Sequence, residues 1–147
     1  MPDLKVETEL TIFKSPAEIF EAIVDPEHMK NYFITSGSAR LDAGDHVTWY
    51  WADHGDAKLT IAPHNIKPNE MISFLWGATG SETTVTIQLE PLDEKQTKVK
   101  VCDAGVPNDE AGARKCLEQM QGWMHMLCCL KAYLEFGINL RVGNPPE

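Results

Sequence analysis

Four tryptophans and one phenylalanine are spaced so that they could line an apolar pocket. Trp49 and Trp51 alternate within one aromatic stretch and therefore share one face of a strand. Phe74 and Trp76 do the same in a later stretch, and Trp123 lies in a segment of helical periodicity. Each indole offers a large apolar area and one N–H donor, which could hold the polar end of a ligand. The alternative is ordinary core packing, in which aromatic side chains are equally at home.

The segment around Trp123 is rich in methionine and cysteine. Apolar residues recur there at intervals of three and four, and Cys116 extends the stripe. Thioether side chains adapt to irregular surfaces and suit loosely defined ligands, although a core stripe is the commoner meaning of such spacing. The predicted ligand-binding residues are Trp49, Trp51, Phe74, Trp76, Met120, Trp123, Met124 and Leu127.

A histidine and two thiols are close enough in sequence to meet on one helix. His125 precedes Cys128 by three residues and Cys129 by four, which could form half of a soft-metal site or a reactive thiolate. A structural zinc site needs four ligands, and no others can be assigned. We therefore predict no metal site and no cofactor, and we expect all four cysteines to be reduced thiols, as in cytoplasmic proteins.

Two further histidines could serve acid–base chemistry. His46 and His64 lie on predicted strands, where one could face a pocket and transfer protons in a cyclase. Asp103 and Glu82 lie near predicted strand ends, and we expect both carboxylates to face water. The acidic turn at 53–56 is expected to be a solvated hairpin tip. No phosphate loop, dinucleotide fingerprint, G-x-S-x-G or H-E-x-x-H motif occurs.

The elements that must position these residues follow from periodicity. Alternating apolar and polar residues predict a first strand over 5–13, and two short helices then begin at Ser15 and Asp25. The capping box Ser15-Pro16-Ala17-Glu18 marks the first helix start. Five further segments, joined by turns, predict an antiparallel meander with strands over 46–52, 58–67, 71–76, 83–89 and 97–102.

The period then changes from two to 3.6, which predicts one long helix. Asn108 or Asp109 is the expected cap and Gly137 the expected end. A helix of roughly 27 residues spans about 40 Å at 1.5 Å per residue. The sequence therefore predicts an α+β fold in which an antiparallel sheet of about six strands wraps around one long C-terminal helix. A ligand would occupy the gap between sheet and helix.

Composition sets limits on the function. The 147 residues suit one domain, 1–147, with a loose tail from about 143. Acidic residues number 22 and basic residues 13, with no basic block, so nucleic acid is a poor partner. No stretch approaches about 18 consecutive apolar residues, so no membrane span is expected. The first residues lack an apolar signal segment, which favours a cytoplasmic location.

Several segments together resemble the START-like, or SRPBCC, superfamily with its helix-grip fold. The branch that the chain is most similar to is named for the C-terminal domain of the activator of the heat-shock-protein ATPase. In this branch a Pro-Trp pair often follows the second short helix, whereas Asn31-Tyr32-Phe33 stands here. The resembling segments are Val6–Glu9 with Ser15–Ala22, Phe74-x-Trp76, Thr83–Pro91, Thr97–Val101 with Gly105, Gly122-Trp123 with Leu127, and Leu130–Gly137.

The resemblance implies a fold and leaves three functions open, because the superfamily contains lipid carriers, cyclases and chaperone activators. The first hypothesis is binding of a small apolar or amphipathic molecule, such as a lipid, in the sheet–helix cavity. The second is a chaperone-activator-like interaction domain, with a chaperone or a second copy of the chain as partner. The third is a cyclase or hydrolase that uses one of the histidines His46, His64 and His125.

Overall fold

A computed structural model describes residues 2–143 of the chain. The predicted loose tail lies, from residue 144 onward, outside the described residues. In chain order the elements are β1 (Leu4–Ile12), α1 (Pro16–Val24), α2 (Pro26–Met29), β2 (Ser36–Gly37), β3 (Val47–Trp51), β4 (Ala57–Lys67), β5 (Met71–Trp76), β6 (Thr83–Asp93), β7 (Gln96–Val106) and α3 (Glu110–Phe136).

All strands join one antiparallel sheet in the order β1-β7-β6-β5-β4-β3-β2. The sheet has seven strands where about six were predicted, because the two-residue β2 pairs with β3 at the edge. The first strand pairs with the last, and α3 packs along β1 and β7. The α+β helix-grip fold predicted from the sequence is therefore confirmed.

The helix ends follow the capping residues predicted from the sequence. The Ser15 hydroxyl accepts a hydrogen bond from the Glu18 amide, and Asp25 caps α2 through the Glu27 amide. The Asp109 carboxylate caps α3, and Gly137 ends it at a φ of 67°. A residue with a side chain rarely adopts that left-handed backbone, so glycine suits this end.

The buried face of α3 differs from the predicted one. The stripe of recurring apolar residues was expected to face the sheet, but its member Met120 is exposed, and so are Ala113 and Leu117 at the same spacing. The sheet side keeps the predicted Trp123 and Leu127, and it also includes Gly112, half-buried Gln119, Met126 and Leu130. Gln119 is the polar residue of this face, and its amide donates to the inward-facing Asp103. Hydrophobic periodicity alone could not predict an amide on the buried face.

Two glycines of α3 make a matched pair for testing how the helix starts. A Cβ at Gly112 would overlap the carbonyl oxygen of Pro107, whereas a Cβ at Gly122 meets open space. We expect Gly112→Ala to lower the free energy of unfolding by about 1–3 kcal/mol through overpacking. Gly122→Ala should raise it by about 0.5–1 kcal/mol, because alanine favours helix more than glycine does. Urea denaturation measures both, and equal stability of the two variants would contradict the close approach.

Candidate functional site

Six aromatic side chains meet between the sheet and α3, and we call them the aromatic cluster. Its members are Phe33, Trp49, Trp51, Phe74, Trp76 and Trp123. Ring centroids lie 5.5 Å apart for Trp49 and Phe74, and 4.8 Å apart for Trp76 and Trp123. Most pairs meet edge to face, the geometry that aromatic quadrupoles favour. Strands β3 and β5 therefore present one aromatic surface to Trp123 of α3.

The expected gap between sheet and helix is filled by side chains. The void that remains is about 10 Å³, which holds a single water at most. Its lining includes Ile23, Tyr32, Phe74 and Trp123. Burial raises the pKa of Tyr32 above its ordinary value, and its hydroxyl donates to the Ala22 carbonyl at 2.8 Å. Any ligand in this space must displace side chains.

Sequence reasoning missed Phe33 as a member of the cluster. Phe33 lies in the segment that departs from the Pro-Trp pattern, and its ring is within 6.3 Å of the rings of Trp49, Trp51 and Trp123. The Trp51 indole donates to the Phe33 carbonyl at 2.8 Å. The segment after α2 therefore covers one side of the aromatic cluster. The adjacent aromatic residues Tyr32 and Phe33 were the sequence signal that could have identified it.

The eight predicted ligand-binding residues fall into three environments. Trp49, Phe74, Trp123 and Leu127 are buried. Trp51, Trp76 and Met124 are half-buried, whereas Met120 is 43% exposed. Five of the eight lie in the aromatic cluster. Contact with a ligand stays a prediction for all eight.

Asp103 is buried, and the expectation that it faces water is wrong. It is 0% exposed and continues the inward-facing series Thr97, Val99 and Val101 of β7. Its Oδ2 accepts hydrogen bonds from Gln119 Nε2 and from Trp123 Nε1, both at 3.0 Å. Its Oδ1 has no partner in residues 2–143. The alternation of β7 was the signal that placed this carboxylate inside.

A second buried polar atom lacks a partner. The indole nitrogen of Trp49 is buried and donates to no acceptor among the described residues. Buried polar groups are hydrogen-bonded in the great majority of proteins, so an unpaired donor and an unpaired acceptor near one aromatic cluster need an explanation. Both belong to inward-facing side chains of the sheet that flank the cluster.

The three histidines considered for acid–base chemistry do not face the interior. His46, His64 and His125 are all exposed. The hypothesis of a cyclase or hydrolase that uses one of them in a cavity is therefore wrong. A different histidine, His28 of α2, is half-buried and its Nδ1 lies 2.6 Å from the hydroxyl of Tyr133 in α3. This contact ties α2 to the long helix.

The thiols show no metal-site geometry. Cys129 Sγ lies 3.6 Å from His125 Nε2, and burial raises the pKa of the Cys129 thiol. Within residues 2–143 no three or more His, Cys, Asp or Glu side chains are grouped to hold a metal ion. The four cysteines are free. No helix in the same range is long and apolar enough to cross a bilayer.

A larger hollow lies elsewhere, on the outer face of the sheet. It has a volume of about 600 Å³ and is lined mainly by polar residues of β1, β6 and β7, among them Glu7, Gln88 and Lys100. It is open to solvent and lacks the aromatic residues of the interior. An apolar molecule gains more from the aromatic cluster than from this surface, because burial of apolar area drives its binding.

The sheet wrapped around one long helix, with an aromatic interior between them, defines a START-like protein. A model of the family described as Activator of Hsp90 ATPase homolog 1-like protein matches residues 14–135, and the chain belongs to this family. No curated protein matches the chain significantly.

Solved structures are similar over nearly the whole chain. Protein SSP2350 from Staphylococcus saprophyticus is 32% identical over 94% of this chain and 96% of its own, with a TM-score of 0.82. The Aha1 dimer from Colwellia psychrerythraea is 20% identical over 91% and 98%, with a TM-score of 0.72. DynU16, from the dynemicin biosynthetic locus, is 24% identical over 94% of this chain and 49% of its own, with a TM-score of 0.79. The last two likenesses show the fold alone.

Two tryptophan-to-phenylalanine variants test the role of the buried carboxylate. Trp49→Phe and Trp123→Phe remove the same volume from the same cluster. Only Trp123→Phe also takes a donor from Asp103, so we expect it to cost about 1–3 kcal/mol more stability than Trp49→Phe. Guanidinium denaturation measures the difference. Equal losses would show that the Trp123 hydrogen bond does not stabilise the buried Asp103.

Proposed function

We propose that this protein binds one small apolar or amphipathic molecule between the sheet and α3. The observation that carries the proposal is the contact of half-buried Trp76 with buried Trp123, whose ring centroids lie 4.8 Å apart at an interplanar angle of 38°, at the edge of the aromatic cluster. Apolar burial contributes about 25 cal/mol per Å², so a ligand that buries about 250 Å² gains roughly 6 kcal/mol. This free energy is large enough for specific binding, and the free energy needed to open the interior must be subtracted from it.

The filled interior means that binding requires opening. We assign the opening movement to the side chain of Trp76, because it is half-buried on β5 while its neighbours Phe74 and Trp123 are buried. Rotation of Trp76 away from Trp123 exposes the cluster without unfolding a strand. The observed affinity then equals the affinity of the open state multiplied by its population. A ligand therefore stabilises the open arrangement and raises the melting temperature.

The experiment uses the four indole N–H signals of the protein labelled with nitrogen-15. The probes are 1-naphthalenemethanol and 1-decanol, which are neutral and differ in shape. We expect the indole signals of Trp76 and Trp123 to shift on addition of at least one probe. Trp76→Ala should weaken that binding by about 10-fold, because the ligand is expected to lie between the Trp76 and Trp123 rings after Trp76 has rotated, and the variant removes one of these two aromatic surfaces. Titration by NMR gives the dissociation constant.

Tyr50→Ala is the matched control. Tyr50 is an exposed aromatic residue of β3 whose side chain alternates with Trp49 and Trp51 and so faces outward. It should leave the dissociation constant unchanged. The proposal fails if neither probe shifts the Trp76 and Trp123 signals. It also fails if Tyr50→Ala weakens binding as much as Trp76→Ala does.

A second function follows from the family description, which names an activator of the Hsp90 ATPase. We propose as the alternative that the chain contacts such a chaperone through an exposed apolar strip on α3. Leu117 is 72% exposed and Met120 is 43% exposed, and their spacing of three residues places them on one side of the helix. Contact with the chaperone would remove both side chains from water, and burial of apolar area drives association. The cytoplasmic location and the homodimer stay predictions.

The chaperone alternative is tested by the ATPase rate of purified Hsp90. We expect the protein to raise that rate, and Leu117→Asp to remove most of the increase by placing a charge in the apolar contact. Leu92→Asp is the control, because Leu92 is 48% exposed on β6 and away from α3. An unchanged ATPase rate on addition of the protein would contradict this alternative.

A further inference from the structure

The buried carboxylate of Asp103 has no countercharge. Its neighbours across the sheet are Val6 of β1 and Val85 of β6, and both are buried apolar residues. None of the salt bridges within residues 2–143 involves Asp103. The two groups that donate to it, the Gln119 amide and the Trp123 indole, are both neutral. A buried charge is stable when it is paired, and here the pairing partner is missing from the described chain.

Both hydrogen bonds of Asp103 are accepted by the same carboxylate oxygen, Oδ2. Gln119 and Trp123, four residues apart on α3, both donate to Oδ2 at 3.0 Å. These bonds hold the carboxylate in one orientation and leave Oδ1 buried and unpartnered. A carboxylate oxygen only accepts hydrogen bonds when it is ionised, so the complement of Oδ1 is a donor. Charge-assisted donors bind it more strongly than neutral ones.

Trp123 connects this oxygen to the proposed ligand site. Its indole nitrogen contacts Oδ2 of Asp103, while its ring packs at an angle against Trp76 and lines the residual void. Asp103 does not line that void, so a molecule reaches it by extending along the Trp123 indole from the void toward the indole nitrogen. The faces of Trp76 and Trp123 also attract cations through their quadrupoles. The unpaired oxygen of Asp103 and the faces of the two indole rings therefore all favour a ligand whose polar end is a cation.

We propose that the molecule bound at this site carries a protonated amine on an apolar body, and that the ammonium group donates to Oδ1 of Asp103. The inference rests on the proposed apolar site and adds the chemical class of its ligand. The ammonium supplies both the missing donor and the missing positive charge. A carboxylate ligand is repelled from the same place, and a neutral alcohol supplies the donor without the charge.

Three probes with the same carbon skeleton test the proposal on the unmodified protein. They are 1-naphthylmethylamine, 1-naphthalenemethanol and 1-naphthoate, which are a cation, a neutral alcohol and an anion. The indole signals of Trp76 and Trp123 report binding at the site, in buffer of about 150 mM salt, which screens exposed charges. We expect the amine to bind about 10-fold or more tightly than the naphthoate. The Trp123 indole signal should shift most, because its partner Asp103 gains a new contact.

Asp103→Asn then tests the residue itself. Asparagine keeps the shape and an oxygen that accepts from Trp123, but it removes the charge and can place an NH₂ group where Oδ1 was. We expect amine binding to weaken by about 10-fold, while binding of the alcohol changes little. Asp45→Asn is the control, because Asp45 is an exposed residue of the loop before β3 and the substitution removes the same charge from the surface.

Each outcome bears on one of the two proposals. If the alcohol and the naphthoate shift Trp76 and Trp123 with the affinity of the amine, the apolar site stands and the amine preference is overturned. The preference is also overturned if Asp45→Asn weakens amine binding as much as Asp103→Asn does. If neither these three probes nor 1-decanol shifts these signals, the apolar site itself fails, whereas a shift with 1-decanol alone overturns only the amine preference. The comparison of probes on the unmodified protein decides the matter even if Asp103→Asn does not fold.

Discussion

The packing of Trp123 is the contact on which the interior depends. Its ring packs at an angle against Trp76, while its indole N–H donates to Asp103. One side chain of α3 thereby contacts β5 and β7, on either side of β6. Movement of the helix away from the sheet at this point breaks an aromatic contact, a hydrogen bond to a buried carboxylate, or both. The contacts of Trp123 that stabilise the closed form are therefore the contacts that an entering ligand must break. The ligand's own contacts must compensate for the free energy that is lost with them.

The fold was predictable because its signals are local. Ser15, Asp25 and Asp109 cap helices by contacts within three residues, and Gly137 ends α3 through its own backbone conformation. Strand alternation and the change of period toward α3 are likewise properties of neighbouring residues. The ladder of β4 and β5 shifts register between Pro63 and Asn65, and this too has a local cause, because proline cannot donate in a regular ladder. These features do not depend on which element packs against which.

The candidate site was only partly predictable, because it depends on long-range packing. Trp49, Phe74 and Trp123 were assigned to the interior from strand and helix faces, and they lie there. The position of Asp103 was misjudged because carboxylates rarely enter a core, although the alternation of β7 pointed inward. The same error concealed a contact of α3, because the Gln119 amide donates to Asp103 from the sheet side of the helix. Cavity volume has no sequence signature, since it depends on how neighbouring side chains fill space together.

The two unpaired polar atoms lie on different strands, with rings of the aromatic cluster between them. Trp49 Nε1 lies on β3 and Asp103 Oδ1 on β7, and the rings of Trp49, Phe74, Trp76 and Trp123 form a continuous path between them. In the closed form both atoms are left unsatisfied, which disfavours it relative to any state in which they are paired. A ligand that only fills apolar space leaves this penalty in place. The proposed ligand, with its ammonium donor, removes the part of this penalty that belongs to Asp103 Oδ1, so binding is favoured by the same unpaired atom that destabilises the closed form.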